Sequence, residues 1–199
     1  MSSPATAILF LSLVGFCALG AIDFAVFDKF APVRKIVLLL GVASFILAFV
    51  VASGQGQPLG LPVWLKYPGW VLTILGGSLL IYSVFIEIPL TLRQRQLTLS
   101  GEPASTLVQT GTYALCRHPG FWWLIFLLAG QIMALQSSGM AQLAFVWIVL
   151  NLTLVTLQDR YIFPRRFLDY GDYQAGTPFL VPNFNQDTFS RIFNTDYPT

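Results

Sequence analysis

The stretch HPGFWWLIFLLAGQIMALQSSGMAQLAFVWIVLNLTLVTLQD, residues 118–159, consists of two apolar runs joined by a short polar turn. The first run covers residues 120–136 and the second covers residues 139–157, and the polar turn Gln136-Ser-Ser-Gly139 spans their junction. A helix that crosses a bilayer needs about 20 mostly apolar residues, so each run is marginal as a lone span. Two marginal helices can support each other as a packed pair, and the stretch therefore predicts a tight antiparallel helical hairpin.

The rest of the chain is equally apolar. Hydrophobic residues make up 55% of the 199 residues and charged residues 10%, whereas soluble domains carry about 25% charged residues. Further apolar runs at 5–27, 36–53 and 70–88 bring the expected number of transmembrane helices to five. The chain start is expected to be the beginning of a membrane helix rather than a cleaved signal peptide, because it has no positive n-region. We therefore predict an all-α integral membrane protein with a single domain, 1–199, and a cytoplasmic C-terminal segment, 158–199.

The basic residues predict an orientation for this membrane domain. With the N-terminus outside, every basic residue except Lys66 falls in a cytoplasmic segment. These are Lys29, Arg34, Lys35, Arg93, Arg95, Arg117, Arg160, Arg165, Arg166 and Arg191. Cytoplasmic loops of membrane proteins carry such an excess of lysine and arginine. The charges therefore predict an outside N-terminus and a cytoplasmic C-terminus, which in a bacterium would mean the inner membrane.

Composition also argues against two classes of partner. A net charge of +2, with the basic residues dispersed, gives no basic patch for nucleic acid. The chain has one histidine and two cysteines, Cys17 and Cys116, with no cysteine–histidine cluster, so we expect no metal site. The two cysteines lie in different segments and are expected to be unpaired.

The single histidine, His118, lies in an Arg117-His118-Pro119 triplet at the start of the first hairpin helix. Because the hairpin is tight, its two cytoplasmic ends should bring His118 close to Gln158-Asp159. An arginine fork, an imidazole and the free N–H groups of a helix start all suit an anionic group. Two structural alternatives remain open: a positive anchor with an interfacial histidine, and a salt bridge from Asp159 to Arg160 or Arg117.

Four further polar residues lie within or near the apolar runs. Asp23 and Glu87 are candidates for function because acids in membrane spans are costly, but structural pairing with Lys29, Arg34 or Arg93 is the favoured interpretation. Gln131 and Asn151 are expected to hydrogen-bond between helices. The aromatic and arginine residues after Leu157 are typical of a membrane interface, where Arg165 or Arg166 could hold an anionic acceptor.

The order of these motifs resembles a known family. The pattern Gly111-x-Tyr113-x-x-x-Arg117-His118-Pro119-x-Phe121 is followed by the hairpin, an acidic position and Tyr170-Gly-x-Tyr173, with Pro178-x-x-x-Pro182 at the end. Over residues 107–182 the chain resembles the isoprenylcysteine carboxyl methyltransferase family, a broad group that includes phospholipid N-methyltransferases and bacterial thiol methyltransferases. Members are membrane enzymes that use S-adenosylmethionine, and the Arg-His-Pro segment and an acidic pair after the hairpin help to enclose the cofactor.

The resemblance implies a set of site residues. Its cofactor-binding positions in this chain are Gly111, Tyr113, Arg117, His118, Pro119, Gln158 and Asp159. The chain departs from the family pattern at Phe121, where the family usually has tyrosine, and at Gln158-Asp159, where it usually has Glu-Glu. Asp159 keeps one carboxylate, whereas Gln158 keeps hydrogen bonding without the charge.

The resulting hypothesis is a membrane methyltransferase in which Arg117, His118 and Arg165 are the predicted catalytic residues. The acceptor would be a lipophilic or small carboxylate, thiol or amine that enters from the lipid bilayer, and S-adenosylmethionine would be the cofactor. Membrane lipid is therefore an expected partner, and nucleic acid and metal are not. Two alternatives remain: an NADPH-dependent membrane sterol or enone reductase, whose C-terminal region carries a similar Arg-His-Pro signature, and a non-enzymatic membrane scaffold or small transporter.

Overall fold

A computed structural model describes residues 3–23, 30–90 and 107–185, together with residues 188, 191 and 192. These residues form helices joined by turns, without strands, apart from one isolated bridge between Pro58 and Ser137. The helices are α1 (Pro4–Ile22), α2 (Ala31–Ser53), α3 (Val63–Leu90), α4 (Pro119–Leu135), α5 (Ser138–Arg166) and α6 (Tyr170–Gly176).

The prediction of an all-helical protein with membrane-spanning helices is confirmed at this level. Four helices, α1, α2, α3 and α5, are long and apolar enough to cross a membrane. Helix α4 is apolar but has 17 residues, which corresponds to a length of about 25 Å. The hairpin is present, since α4 ends at Leu135 and α5 begins at Ser138, and Gln136 makes the turn with a left-handed backbone (φ 51°).

The ends of the helices differ from the apolar runs that predicted them. Helix α2 begins at Ala31 rather than residue 36, because Pro32 is well suited to a first helical turn. Helix α3 begins at Val63 rather than residue 70. Helix α5 continues beyond Leu157 through a π-helical turn, Gln158–Ile162, and ends at Arg166. The end of the predicted first span, 24–27, lies outside the described residues.

The helices run back and forth between two ends of a bundle. Helix α5 contacts α4, α1 and α2, and α3 packs closely along α4. The α3–α4 contact depends on glycines: a β-carbon at Gly76 would overlap the backbone nitrogen of Leu127, and one at Gly69 would lie 2.7 Å from the nitrogen of Ala134. Small residues allow helix backbones to approach in this way in membranes.

The interior of the bundle is mainly apolar. Its largest cluster of buried residues joins α1, α2 and α5, and consists of Ile8, Ala48, Ala52, Met140 and Leu143. Beside it, the Trp147 indole nitrogen donates a hydrogen bond of 2.9 Å to the buried Ser12 hydroxyl. Many large apolar side chains point outward instead, as expected for helices that face lipid.

The two ends of the bundle differ in their contacts. At one end, the α4–α5 turn is fixed to the α2–α3 loop by backbone hydrogen bonds, including Leu59 N–H to the Gln136 carbonyl at 2.8 Å. At the other end lie the start of α4, the π-helical turn of α5 and helix α6, which together surround His118.

Candidate functional site

The segment Gly111–His118 leads directly into helix α4 and carries several residues of the candidate site. It begins with a 3-10 turn, Gly111–Ala114, and Gly111 has a left-handed backbone (φ 63°) that glycine adopts without steric cost. His118 is the last residue before α4, and Pro119 occupies the first turn of that helix, where no backbone donor is required. Pro119 therefore serves to start α4 directly after His118.

The Arg117 guanidinium binds the Asp159 carboxylate with two parallel hydrogen bonds. The Nε–Oδ1 distance is 2.6 Å and the Nη2–Oδ2 distance is 2.9 Å. Both side chains are buried, with exposed fractions of 10% for Arg117 and 8% for Asp159. Burial alone would lower the pKa of Arg117, but the hydrogen bonds and charge of Asp159 outweigh it, so the pKa is raised. The salt bridge considered for Asp159 is thus present, and its partner is Arg117.

Residues after α5 occupy most of the remaining hydrogen-bonding capacity of this pair. The Tyr170 hydroxyl donates to Asp159 Oδ1 at 2.7 Å, and the Gln174 side chain donates to Oδ2 at 3.3 Å. Arg117 Nη1 donates to the backbone carbonyls of Gln174 and Thr177. Burial, together with the neighbouring carboxylate, raises the pKa of Tyr170, so its phenol stays protonated. The Arg117–Asp159 pair therefore joins three segments of the chain.

His118 lies against this pair with one unsatisfied nitrogen. Its side chain is 7% exposed, and Nε2 is 3.5 Å from Asp159 Oδ1 without making a hydrogen bond. The ring stacks on Phe163 at 6.0 Å with an interplanar angle of 16°, and Phe179 meets its edge at 5.4 Å. Buried polar nitrogens are normally hydrogen-bonded, so an unpartnered one among the described residues calls for an explanation.

Tyr113, Tyr173 and Cys116 are further buried or partly buried groups beside the Arg117–Asp159 pair. The Tyr173 hydroxyl donates to the Tyr113 carbonyl at 2.7 Å. Burial, with the Glu87 charge nearby, raises the pKa of Tyr113 well above its ordinary value. Cys116 is fully buried, and this burial raises the pKa of its thiol to about 11. At neutral pH these groups are therefore neutral, and Cys116 is not activated as a nucleophile.

Glu87 and Asp23 both have structural partners, and the charge of Arg34, one of the expected cations, acts on Asp23 together with that of Arg166. Glu87 is buried in the π-helical turn of α3 and accepts two hydrogen bonds of 2.5 Å, from the backbone N–H and the hydroxyl of Thr112. Asp23 accepts a hydrogen bond of 2.7 Å from the Gln158 side chain. Lys29 and Arg93, two of the expected partners, lie outside the described residues.

Two predicted site residues lie away from His118. The Gln158 side chain points to α1 through its hydrogen bond to Asp23. Arg165 donates to the Tyr161 carbonyl of its own helix at 2.6 Å and is exposed. Among the described residues, the expected interhelical acceptors Gln131 Oε1 and Asn151 Oδ1 have no hydrogen-bond partner.

Sequence reasoning assigned no role to several residues that hold the site together. Tyr170 and Tyr173 were noted only as part of a motif, although aromatic residues that flank a Gly-containing turn next to an apolar helix are a recognisable signal. Thr177 contributes through its backbone carbonyl, which has no signature in the sequence, and Gln174 contributes both its carbonyl and its side-chain amide. The contact between Glu87 and Thr112 joins residues 25 positions apart, and only the buried acid pointed to it.

The chain is similar in sequence to a curated protein over less than half of its length. No protein-family model and no solved structure matches the chain. One curated protein with a similar sequence is the nickel-cobalt-cadmium resistance protein NccN of Alcaligenes xylosoxydans xylosoxydans, with 27% identity over 89 residues. The match covers 45% of this chain and 42% of that protein. Within the described parts of the chain, no group of three or more His, Cys, Asp or Glu side chains is placed to hold a metal ion.

Proposed function

We propose that this protein is a five-span membrane methyltransferase that uses S-adenosylmethionine and acts on a lipophilic or small carboxylate, thiol or amine acceptor. The family resemblance is the origin of the proposal. The observation that carries it is Nε2 of His118, which is buried without a hydrogen bond, 3.5 Å from the carboxylate of Asp159 in the Arg117–Asp159 pair. The resemblance assigns cofactor contacts to Arg117, His118 and Asp159, and Asp159 comes from a different part of the chain than the other two.

In the proposed site, the cofactor contacts His118 and not the Arg117–Asp159 ion pair. S-adenosylmethionine supplies a methyl group that its sulfonium already activates, so the proposed transfer uses no metal. His118 Nε2 is free to hydrogen-bond a polar group of the cofactor, and the rings of Phe163 and Phe179 beside it suit a cation. Arg117 and Asp159 have their hydrogen-bonding groups engaged, so their proposed role is to fix His118 in place.

The remaining residues of the implied set take supporting roles or none. Gly111 and Pro119 shape the backbone on either side of the cluster, and Tyr113 is fixed by Tyr173. Gln158 and Arg165 receive no direct role in the proposed site, because each has another partner. The methyl acceptor would reach His118 from the bilayer, since the surrounding helices are apolar on their outer faces.

The proposal includes an orientation. Arg117, Arg165 and Arg166 lie at the end of the bundle that holds His118, and Lys66 lies at the start of α3, at the opposite end. The distribution of basic residues favours a cytoplasmic site, an outside N-terminus and, in a bacterium, the inner membrane.

A binding experiment tests the cofactor assignment. The purified full chain in detergent is titrated with S-adenosylhomocysteine and, separately, with NADPH, using calorimetry. We expect the former to bind, and His118→Ala to weaken binding roughly tenfold or more because a buried hydrogen bond is lost. Thr153→Ala is the control, since this hydroxyl is exposed on α5 and bonds only the Val149 carbonyl.

Three results would overturn the proposal. Binding of NADPH without S-adenosylhomocysteine would favour the reductase alternative. Binding of neither would favour a scaffold or transporter. Binding of S-adenosylhomocysteine that His118→Ala leaves unchanged would remove His118 from the site.

A further inference from the structure

Two buried carboxylates hold the Gly111–His118 segment, one near each end. Both are almost completely buried: Glu87 accepts hydrogen bonds from Thr112, and Asp159 accepts hydrogen bonds from Arg117. Each acid lies in a π-helical turn, Glu87 in Tyr82–Glu87 of α3 and Asp159 in Gln158–Ile162 of α5. Such turns are rare and occur frequently at functional sites. The segment is thus held between two irregular turns of different helices.

The contact with Glu87 is shaped closely around the backbone of the segment. Both carboxylate oxygens are used, Oε1 by the Thr112 N–H and Oε2 by the Thr112 hydroxyl. A β-carbon at Gly111 would overlap Oε1, so the left-handed backbone and the absence of a side chain at this position both serve the contact. Glu87 therefore determines where the segment begins.

The burial of the Glu87 carboxyl group is energetically costly. Among the described residues, its hydrogen bonds come from Thr112 alone, and a carboxylate has about four acceptor positions. An acid in an apolar helix, near the membrane, is expensive and is by default a candidate for function. An apolar residue would hold α3 to its neighbours at lower cost, so a polar side chain at position 87 is better explained by its two hydrogen bonds to the segment.

We infer that Glu87 is a positioning residue of the proposed site: its two hydrogen bonds to Thr112 fix the segment that carries Tyr113 and His118. The link to cofactor binding rests on the proposed function, whereas the hold on the segment does not. The effect is transmitted along the segment by Tyr113, whose carbonyl binds Tyr173, and by Arg117, whose guanidinium binds Asp159.

The reactivity of the Cys116 thiol measures directly how firmly the Gly111–His118 segment is held. Cys116 lies between Thr112 and Arg117, is fully buried, and becomes the only cysteine of the chain after Cys17→Ser. The rate of its reaction with a maleimide reports how often the segment opens. The experiment measures this rate at pH 8 for the purified full chain in detergent, together with the affinity for S-adenosylhomocysteine.

Glu87→Ala removes both hydrogen bonds and should increase the labelling rate roughly tenfold or more, since hydrogen bonds to charged groups contribute strongly to local stability. Glu87→Gln keeps the shape, can accept from the Thr112 N–H, and can donate to the Thr112 hydroxyl, so its rate should stay within about threefold of the parent. The matched control is Asp23→Ala, which removes an acid whose hydrogen-bond partner lies outside the segment and should leave Cys116 protected.

The affinity measurement separates positioning from stability alone. Glu87→Ala should raise the dissociation constant for S-adenosylhomocysteine, and Glu87→Gln should restore it. If Glu87→Ala does not yield folded protein, Thr112→Val takes its place; it removes one of the two hydrogen bonds and should speed labelling by roughly fivefold.

The possible outcomes are distinct. The inference is overturned if Cys116 in Glu87→Ala, or in Thr112→Val where that variant replaces it, is labelled at the parent rate. It is also overturned if Cys116 in Asp23→Ala is labelled as fast as in Glu87→Ala. Fast labelling with unchanged affinity overturns the link to the site. If the parent itself binds no S-adenosylhomocysteine, the proposed function fails, and the labelling rates still decide whether Glu87 holds the segment.

Discussion

Breaking the Arg117–Asp159 pair by removing one partner should be among the most destabilising single changes in the folded chain. Asp159→Ala would leave the guanidinium buried without its counter-charge and would remove the acceptor of the Tyr170 hydroxyl. Because the Arg117 side chain is 10% exposed, water replaces the lost partners poorly. Removing one partner of a buried pair costs about 3–5 kcal/mol, and we expect Asp159→Ala to lie in this range.

A double-mutant cycle measures the pair itself. The free energy of unfolding is determined in mixed micelles for Arg117→Ala, Asp159→Ala and the double variant. Each single variant leaves a buried group unpaired, whereas the double variant removes both charges, so it should cost less than the sum of the two by about 2 kcal/mol or more. Arg165→Ala is the control: its guanidinium is exposed and bonds its own helix, so a change within about 0.5 kcal/mol is expected.

Two results would refute this reasoning. The first is a cost below about 1 kcal/mol for Asp159→Ala, which would place the pair in contact with solvent. The second is additivity of the two single variants, which would mean that Arg117 and Asp159 act on stability through separate contacts.

Three further predictions concern packing, pH and orientation. Gly76→Ala should destabilise the chain by about 1–3 kcal/mol, since its β-carbon meets the backbone of Leu127, whereas Gly77→Ala, 3.7 Å from the nearest side-chain atom, should be neutral or stabilising in the same unfolding assay. Burial raises the pKa of Asp23, so folding is penalised once this carboxylate ionises. Stability should fall as pH rises from the ordinary aspartate pKa through the raised value, and Asp23→Asn should remove that fall and stabilise the chain at neutral pH but not in strong acid. A fluorescent protein fused to the C-terminus in a bacterial host should fluoresce and an alkaline phosphatase fusion there should be inactive; the opposite pair of results would reverse the proposed orientation.

Hydropathy predicted the helices well because it sums over about 20 residues and tolerates local exceptions. It predicted the ends less well because it reports preference for lipid, whereas a helix ends where its backbone hydrogen bonds end. Helix α5 shows the difference: after Leu157 the sequence becomes polar and aromatic and includes Pro164, but the backbone passes through a π-helical turn just before this proline and the helix continues to Arg166. Helix α2 likewise includes Arg34 and Lys35, which the apolar run excluded.

The position of His118 beside Asp159 could be predicted for a geometric reason. A tight hairpin with arms of similar length must bring its first and last residues to the same end, and the structure places the two side chains 3.5 Å apart. The partners of Glu87 could not be predicted in the same way. They depend on a left-handed glycine, Gly111, and on a π-helical turn, and neither feature has a clear signature in a single sequence.

The π-helical turn of α5 also bears on Gln158-Asp159, where the chain differs from the family that its sequence resembles. Neighbouring residues of a helix point in different directions, and here Gln158 faces α1 while Asp159 faces the Gly111–His118 segment. The Gln158 amide donates to Asp23 at 2.7 Å, where a glutamate would bring a second carboxylate against the first. A glutamine at position 158 therefore suits Asp23, whereas the carboxylate at position 159 binds Arg117. The missing charge at position 158 is accounted for by α1, and it does not weigh against a site built around His118.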